Sequence, residues 1–278
     1  MLPPIADNFV AGETAPEAIA HARDLDGRGV GTILNLLGEH YERPGPAAED
    51  RDAYVRLIDD IADAGIDACV SVKPSQIGLD IGESTFRSNL EVIAERADER
   101  DAFVWIDMED HETTDATLDA FEELARAHEW SVGVCLQANL KRTRKDLDRL
   151  IDVPGKFRLV KGAYDEPDDL SYTRKPRVNE EYRELLRYAF EHRDRGVAVG
   201  SHDPVMIEHA ADLAAEHGTD FEIQMLMGVR ESAQYDLAAD YDVYQYVPYG
   251  NRWLSYFYRR VAERRANALF ALRAAIGR

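Results

Sequence analysis

The chain has 278 residues, with 53 aspartates and glutamates against 33 lysines and arginines, so its formal net charge at pH 7 is −20. This acidic excess leaves no basic face for phosphates and argues against nucleic acid as a partner. The N-terminus has no basic region followed by an apolar run, and no stretch approaches the roughly 20 apolar residues of a membrane span. We therefore expect a soluble protein without a signal peptide.

The two cysteines, Cys69 and Cys135, each lie inside an apolar run. This setting predicts buried, reduced thiols and a cytoplasmic location. Neither cysteine has a second one at the spacing of a metal or redox motif.

The predicted elements begin with a helix over residues 15–28, where apolar residues recur at helical spacing. Eight short apolar runs then follow, at residues 32–37, 68–72, 103–106, 132–136, 157–160, 197–200, 221–225 and 243–247. Each run has four to six residues and is mostly continuous rather than alternating. This pattern is typical of strands that are buried on both faces.

Amphipathic segments separate most of these runs and predict helices over residues 84–99, 115–128, 143–150, 179–193, 204–216, 230–239 and 253–275. Pro204 and Gly218 mark the two ends of one of these helices. Eight buried strands alternating with helices predict an α/β fold, a (β/α)8 TIM barrel, with an open doubly wound sheet as the alternative. The length suits a single barrel domain over residues 1–278, with one additional helix at each end.

Active sites of such barrels lie at the carboxyl ends of the strands. Residues with functional groups stand there in almost every case: Lys73, Asp107, Gln137, Lys161, Tyr164, His202, Gln224 and Tyr246. Two of the six lysines directly follow apolar runs, and a lysine in such a place needs a negative partner or a ligand because desolvating its charge is costly. Asp107 is the natural partner for Lys73, and a purely structural salt bridge is the alternative.

The sequence contains none of the standard cofactor-binding motifs. Gly27, Gly29 and Gly31 precede a strand instead of following one, so they do not form a dinucleotide fingerprint. The segment from Asp107 to His111 contains carboxylate and imidazole groups. It has no recognised metal-ligand spacing, and acidic residues are common throughout the chain, so we do not predict a metal.

The segment 246–263 reads as a strand, a Pro/Gly turn and an aromatic-rich amphipathic helix. Arg259 and Arg260 project about 100° apart on that helix, and Glu263 lies within reach of either guanidinium. Tyr256 stands one turn earlier on the same side. Such an arrangement can bind a small carboxylate with an apolar body, although surface arginines on an exposed helix are the plainer interpretation.

Several stretches combine these residues in a specific order: Phe9-Val-Ala-Gly-Glu-Thr14, Val72-Lys73-Pro-Ser-Gln-Ile-Gly78, Asp107-Met-Glu-Asp110, Arg158-Leu-Val-Lys161-Gly-Ala-Tyr164, Ser201-His202-Asp203, Phe221-Glu-Ile-Gln-Met-Leu226 and Tyr256-x-x-Arg259-Arg260-x-x-Glu263. Together they resemble the proline dehydrogenase family, which comprises flavin-dependent barrel enzymes. The resemblance runs over nearly the whole chain. The length matches the compact, monofunctional form of the family.

The resemblance implies a non-covalent FAD across the strand ends. Its contacts would be Gln137, Arg158, Val160, Lys161, Gly162, Ala163, Tyr164, Thr173, Lys175, Ser201, His202, Glu222 and Gln224. Arg158 and Lys161 would supply charge for the pyrophosphate or the edge of the flavin ring. The residues of the adenine half, Thr173 and Lys175, lie in a loop that varies within the family.

The resemblance also implies roles in binding the substrate, L-proline. Lys73, Arg259 and Arg260 would bind its carboxylate, Asp107 and Glu263 would orient these cations, and Tyr246, Tyr256 and Leu226 would enclose its ring. Lys73, Asp107 and Tyr246 would form the catalytic group, and the C-terminal helix would cap the substrate. The product would be Δ1-pyrroline-5-carboxylate, in the first step of proline catabolism to glutamate. Electrons would pass to a membrane quinone through peripheral, transient contact with the membrane.

Two other functions fit part of the pattern. Lys161 at a strand end could be the Schiff-base lysine of a class I aldolase. A barrel that binds proline or another small acid without reaction would also explain the arginine pair.

The acidic excess and the scarcity of lysine lead to a hypothesis about habitat, namely a halophilic protein. Salt screens repulsion among like charges, so we expect the unfolding temperature to rise steeply with KCl concentration. Thermal unfolding from dilute buffer to molar KCl measures this. Full stability in dilute buffer would contradict the hypothesis.

Overall fold

The computed structural model describes residues 8–254, which contain eight parallel strands closed into a barrel in chain order. The strands are β1 (Gly31–Leu36), β2 (Ala68–Val72), β3 (Val104–Ile106), β4 (Val132–Gln137), β5 (Lys156–Val160), β6 (Val197–Gly200), β7 (Phe221–Leu226) and β8 (Asp242–Tyr249). β8 pairs back onto β1 from Gly31↔Tyr244 to Leu36↔Tyr249. The predicted (β/α)8 barrel is confirmed, and the open sheet is excluded.

Helices cover the outside of the barrel. They are α1 (Ala15–Asp26), α2 (Pro44–Ala64), α3 (Glu83–Glu99), α4 (Thr114–His128), α5 (Thr143–Leu150), α6 (Lys175–His192), α7 (Pro204–His217) and α8 (Glu231–Leu237). α1 precedes the first strand and is the additional N-terminal helix that the sequence predicts. The expected C-terminal capping helix falls almost wholly outside the described residues, and the single domain over the whole chain stays a prediction.

α2 has 21 residues and is not among the helices that the sequence predicts. Its first turn contains Pro44 and Pro46, which read as loop residues although proline is well accommodated in the first turn of a helix. Farther along, Tyr54, Leu57 and Ile61 recur at helical spacing and are buried. The helix ends at Gly65, whose φ of 61° is the left-handed conformation that glycine adopts easily.

The main hydrophobic core lies between the strands and the helices. Fully buried side chains from both layers meet there, among them Leu57, Phe121, Phe157 and Phe190. Aromatic pairs such as Phe121 with Phe157, whose ring centroids are 6.1 Å apart, join α4 to β5. Burial of this outer layer supplies the stability of the fold.

The barrel interior is different, because its apolar cluster is small. Ile33, Cys69, Trp105 and Ala198 form this cluster, and polar and charged side chains fill much of the remaining interior. Both cysteines are buried and free, as predicted. Within residues 8–254, no helix combines the length and apolarity needed to cross a membrane.

Replacement of Leu57 by alanine tests the position of α2. Leu57 is fully buried, so Leu57→Ala should lower the free energy of unfolding by about 2–5 kcal/mol. Arg56 is exposed on the same helix, so Arg56→Ala should change it by no more than about 0.5 kcal/mol. Urea unfolding measures both variants, and equal effects would contradict the packing described.

Candidate active site

A cavity of about 360 Å³ opens at the carboxyl ends of the strands. Twelve of the predicted site residues line it: Lys73, Asp107, Arg158, Val160, Lys161, Gly162, Ala163, Tyr164, His202, Gln224, Leu226 and Tyr246. This volume lies in the range of pockets for small ligands. These residues come from six strands, or follow them directly, and meet in one cavity, as the barrel topology requires.

The carboxylate of Asp107 is the centre of the cavity's hydrogen bonds. Asp107 follows β3, and its backbone N–H donates to the Val72 carbonyl at 2.9 Å, which extends the sheet by one residue. Its side chain accepts from Ser71 Oγ and Tyr246 OH, each at 2.7 Å.

Two cations complete the surroundings of this carboxylate. Arg158 Nη2 donates to Asp107 Oδ1, and Lys73 Nζ lies 3.6 Å from Asp107 Oδ2. The pairing of Lys73 with Asp107 that the sequence predicts is therefore present. Arg158, from β5, is a second partner that the sequence did not indicate.

The opposite charges in this group stabilise the ionised forms of their partners. Burial raises the pKa of Asp107, but Arg158 and Lys73 lower it more, and the net pKa is below its usual value. Burial lowers the pKa of Lys73, but the Asp107 carboxylate outweighs this effect and the net pKa is raised. Burial, and then Asp107, hold the pKa of Tyr246 well above its usual value. At neutral pH the site thus contains an anion, two cations and a phenol that donates.

The loop after β5 brings a third cation to the rim of the cavity. Lys161 Nζ donates to Asp203 Oδ2 at 2.8 Å, while Asp203 also caps α7 by accepting from the Val205 N–H. Gly162 has a φ of 102°, and a Cβ atom there would lie 1.9 Å from Asn139 Oδ1, so only glycine fits this position. Glycine at this position therefore lets the loop pack against Asn139.

Two rings, those of His202 and Tyr164, stand on the cavity wall. His202 Nε2 accepts from the Leu226 N–H at 2.8 Å, so the proton of the neutral ring is on Nδ1. This bond ties the end of β6 to the end of β7. Burial raises the pKa of Tyr164 to about 12, so its hydroxyl is protonated at neutral pH.

Five predicted flavin contacts do not line this cavity: Gln137, Thr173, Lys175, Ser201 and Glu222. Gln137 is buried and its Nε2 donates to the Glu109 carbonyl at 2.7 Å. Ser201 is buried beside the cavity and its hydroxyl accepts from the Asp203 N–H. Thr173 and Lys175 are exposed at the start of α6.

Glu222 is placed at the opposite end of the barrel from the expected position of the flavin. It stands near the start of β7, where its Oε2 lies 2.5 Å from Lys156 Nζ. The four residues predicted on the C-terminal helix, Tyr256, Arg259, Arg260 and Glu263, lie outside the described residues, and their roles stay predictions.

Five cavity residues were not predicted: Asn35, Met108, Cys135, Gly200 and Met225. Asn35 had a signal, since it is a polar residue inside the apolar run of β1. Its Nδ2 donates to the Ser71 carbonyl at 2.8 Å. The other four are apolar or small residues in strands and loops, and their sequence context does not distinguish them from core residues.

The acidic segment after β3 sends its side chains to different partners. Glu109 accepts from the N–H and hydroxyl of Ser75, and Asp110 caps a short 3-10 helix. His111 Nδ1 lies 2.6 Å from Glu166 Oε2. Among residues 8–254 there is no group of three or more potential metal ligands.

The site is therefore suited to an anionic group with an apolar body. A family model described as proline dehydrogenase matches residues 18–273 of the chain. The chain belongs to the proline dehydrogenase family.

Individual proline dehydrogenases are similar over almost the whole chain. The proline dehydrogenase of Deinococcus radiodurans is 37% identical over 96% of this chain and 89% of its own length. Proline dehydrogenase 2 of Bacillus subtilis is 35% identical with the same coverage.

A solved structure supports the fold. Proline utilization A (PutA) from Bdellovibrio bacteriovorus, inactivated by N-propargylglycine, superposes with a TM-score of 0.84 at 23% identity. The match covers 92% of this chain and 32% of that larger protein. The two chains therefore share the fold.

Replacement of Asp107 by asparagine tests the central carboxylate. Because the folded-state pKa of Asp107 is lowered, its charge stabilises the fold above the unfolded-state pKa of about 4, and this contribution is lost as pH falls further. Removing one partner of a buried ion pair typically costs about 3–5 kcal/mol, so Asp107→Asn should be destabilised by that amount at pH 7.

Urea unfolding at neutral pH and below about pH 4 measures this difference. The gap between wild type and Asp107→Asn should shrink in acid. Asp60 is exposed on α2, and Asp60→Asn is the matched control. A gap that is the same at both pH values would contradict the ionised state of Asp107.

Proposed function

We propose that the chain catalyses the FAD-dependent oxidation of L-proline to Δ1-pyrroline-5-carboxylate, the first step of proline catabolism to glutamate, and passes the electrons to a quinone. The observation that carries this proposal is the meeting of Lys73, Arg158 and Lys161 with apolar and aromatic walls in one cavity. Membership of the proline dehydrogenase family supports it.

The donor set fits FAD. Lys161 at the rim and Arg158 inside the cavity are cations suited to phosphate oxygens or to the electron-rich edge of a flavin ring. Gly162 has no side chain, so the cavity is lined by backbone atoms at this position. When bound, FAD supplies the acceptor for the hydride that leaves proline. The exposed Thr173 and Lys175 are proposed contacts of the adenine half.

Other residues of the cavity suit L-proline. Lys73 offers a fixed positive charge to the carboxylate, because Asp107 holds its ammonium group in place. Leu226 and the ring of Tyr246 offer apolar surface to the pyrrolidine ring. The hydroxyl of Tyr246 donates to Asp107, which fixes the orientation of its ring.

The charge of the cluster favours the reactive form of the substrate. Lys73, Arg158 and Asp107 together carry one net positive charge, which attracts a carboxylate and disfavours an additional ammonium group. Proline must lose its amine proton before a hydride can leave the neighbouring carbon. The same cations therefore bind the substrate and favour its neutral amine.

The remaining proposed contacts with the substrate belong to the predicted C-terminal helix and rest on the sequence alone. Arg259 and Arg260 are proposed to bind the substrate carboxylate with Lys73, Glu263 to orient them and Tyr256 to cover the ring. We place the reaction in the cytoplasm, with peripheral and transient contact with the membrane that holds the quinone.

An anaerobic absorbance spectrum tests this function. We expect the purified protein, reconstituted with FAD in high salt, to lose its oxidised flavin bands when L-proline is added and to keep them with D-proline. No FAD binding would overturn the proposal. Covalent trapping of a carbonyl substrate on Lys161 by borohydride would indicate an aldolase instead.

The same absorbance experiment on two lysine variants tests the role of Lys73 in binding the substrate. Lys73→Met should retain FAD but need about tenfold more L-proline for the same bleaching, because one charged contact with the carboxylate is lost. Lys145 is exposed on α5, so Lys145→Met should behave as wild type. Equal behaviour of the two variants would contradict the role of Lys73.

A further inference from the structure

A chain of hydrogen bonds runs through the barrel interior from the amino ends of the strands to the active site. Lys156 Nζ donates to Glu222 Oε2 at 2.5 Å, and Gln224 Nε2 donates to Glu222 Oε1 at 2.6 Å. Arg158 Nη1 then donates to Gln224 Oε1 at 3.1 Å, and Arg158 Nη2 donates to Asp107. We call these five residues the axial chain.

The direction of the bonds in the axial chain is fixed by chemistry. A carboxylate only accepts hydrogen bonds and a guanidinium only donates them. The amide of Gln224 lies between Glu222 and Arg158, so one orientation alone satisfies both neighbours. Glu222 therefore determines that the oxygen of this amide faces Arg158.

Because Arg158 is buried, the orientation of the Gln224 amide affects the position of its guanidinium. The side chain of Arg158 is 6% exposed, and its guanidinium lies between the rings of Trp105 and Tyr246, 5.0 and 5.6 Å from their centroids. Arg158 also lines the active-site cavity, but its Nη1 donates to the buried Gln224, so the loss of this acceptor leaves a donor facing a buried side chain. A reversed Gln224 amide would set donor against donor and displace Arg158.

We propose that Glu222 is a positioning residue for the active site, which it controls through the Gln224 amide and the Arg158 guanidinium. Arg158 in turn holds Asp107, the partner of Lys73 and Tyr246. The consequences for FAD and proline rest on the proposed function. The consequence for the position of Arg158 does not.

The plainer role of Glu222 is a salt bridge with Lys156 that stabilises the amino end of the barrel. A cavity of about 200 Å³ opens beside this pair and reaches it from the far side. The two roles make different predictions, because the salt bridge needs Lys156 whereas the orientation of Gln224 needs only an acceptor at position 222.

The decisive variant is Glu222→Gln. The new amide has one oxygen, which the charged Lys156 attracts more strongly than Gln224 does. Its NH2 group then faces Gln224, whose own amide must turn its NH2 group towards Arg158. We expect FAD affinity and kcat/KM for L-proline each to fall about tenfold.

Two further variants distinguish the positioning of Arg158 from the stabilising effect of the salt bridge between Lys156 and Glu222. Lys156→Met removes the cation but leaves Glu222 to accept from Gln224, so it should lower the melting temperature and keep FAD affinity within about twofold. The double variant Glu222→Gln with Lys156→Met frees the oxygen of the new amide for Gln224. It should restore FAD affinity and kcat/KM although the salt bridge is absent.

A crystal structure of flavin-free Glu222→Gln gives a readout that needs no activity. Arg158 should move beyond hydrogen-bond distance of Gln224, and in the double variant it should return. Glu222→Gln with Arg158 in place and unchanged kcat/KM would overturn the proposal. So would a double variant whose losses are the sum of those of the single variants.

The remaining outcomes are also decisive. If Glu222→Gln does not fold, a folded double variant with wild-type FAD affinity supports the proposal and one with weakened affinity overturns it. If the wild type binds no FAD and oxidises no proline, the proposed function fails. The position of Arg158 in the crystal structures then decides the role of Glu222 alone.

Discussion

The buried carboxylate of Asp107 joins several strands at the carboxyl end of the barrel. Asp107 would be costly to ionise in this place if it were alone, but Arg158 and Lys73 keep it charged. Its side-chain partners come from β2, β5 and β8 or the residues that follow them, and Asp107 itself follows β3, so one carboxylate joins four strands. The wall of the cavity, including the ring of Tyr246, depends on this carboxylate.

The fold can hold so much charge inside because its stability comes from elsewhere. The extensive apolar core lies between the strands and the surrounding helices. The barrel interior contains a small apolar cluster and is otherwise available for polar groups. The apolar core that stabilises the fold therefore lies outside the strands, and the charged residues of the cavity lie inside them. A charged residue in the interior does not interrupt the outer core.

The strands and many site residues could be predicted because their signals are local. Continuous apolar runs gave all eight strands, and polar residues after Val72 and Val160 gave the lysines of the cavity. Partner choice is not local: Arg158 and Asp107 are 51 residues apart, and no spacing rule pairs them. Glu222 and Gln224 are two residues apart on β7 and face the same interior, but only the register of the neighbouring strands shows which residues lie beside each of them. The prolines that begin α2 concealed that helix for a different reason, since they also suit a loop.

The pairing of β8 with β1 has a consequence for synthesis of the protein in the cell. Parallel pairing of the last strand with the first closes the sheet and removes its two free edges. Until the ribosome has released β8, a growing chain carries two unpaired strand edges that can associate with other chains. Tyr246 is on that closing strand, so the partner of Asp107 arrives with it. The pairing that removes the free edges therefore also brings Tyr246 to Asp107, and a chain without β8 has both strand edges unpaired and this hydrogen bond missing.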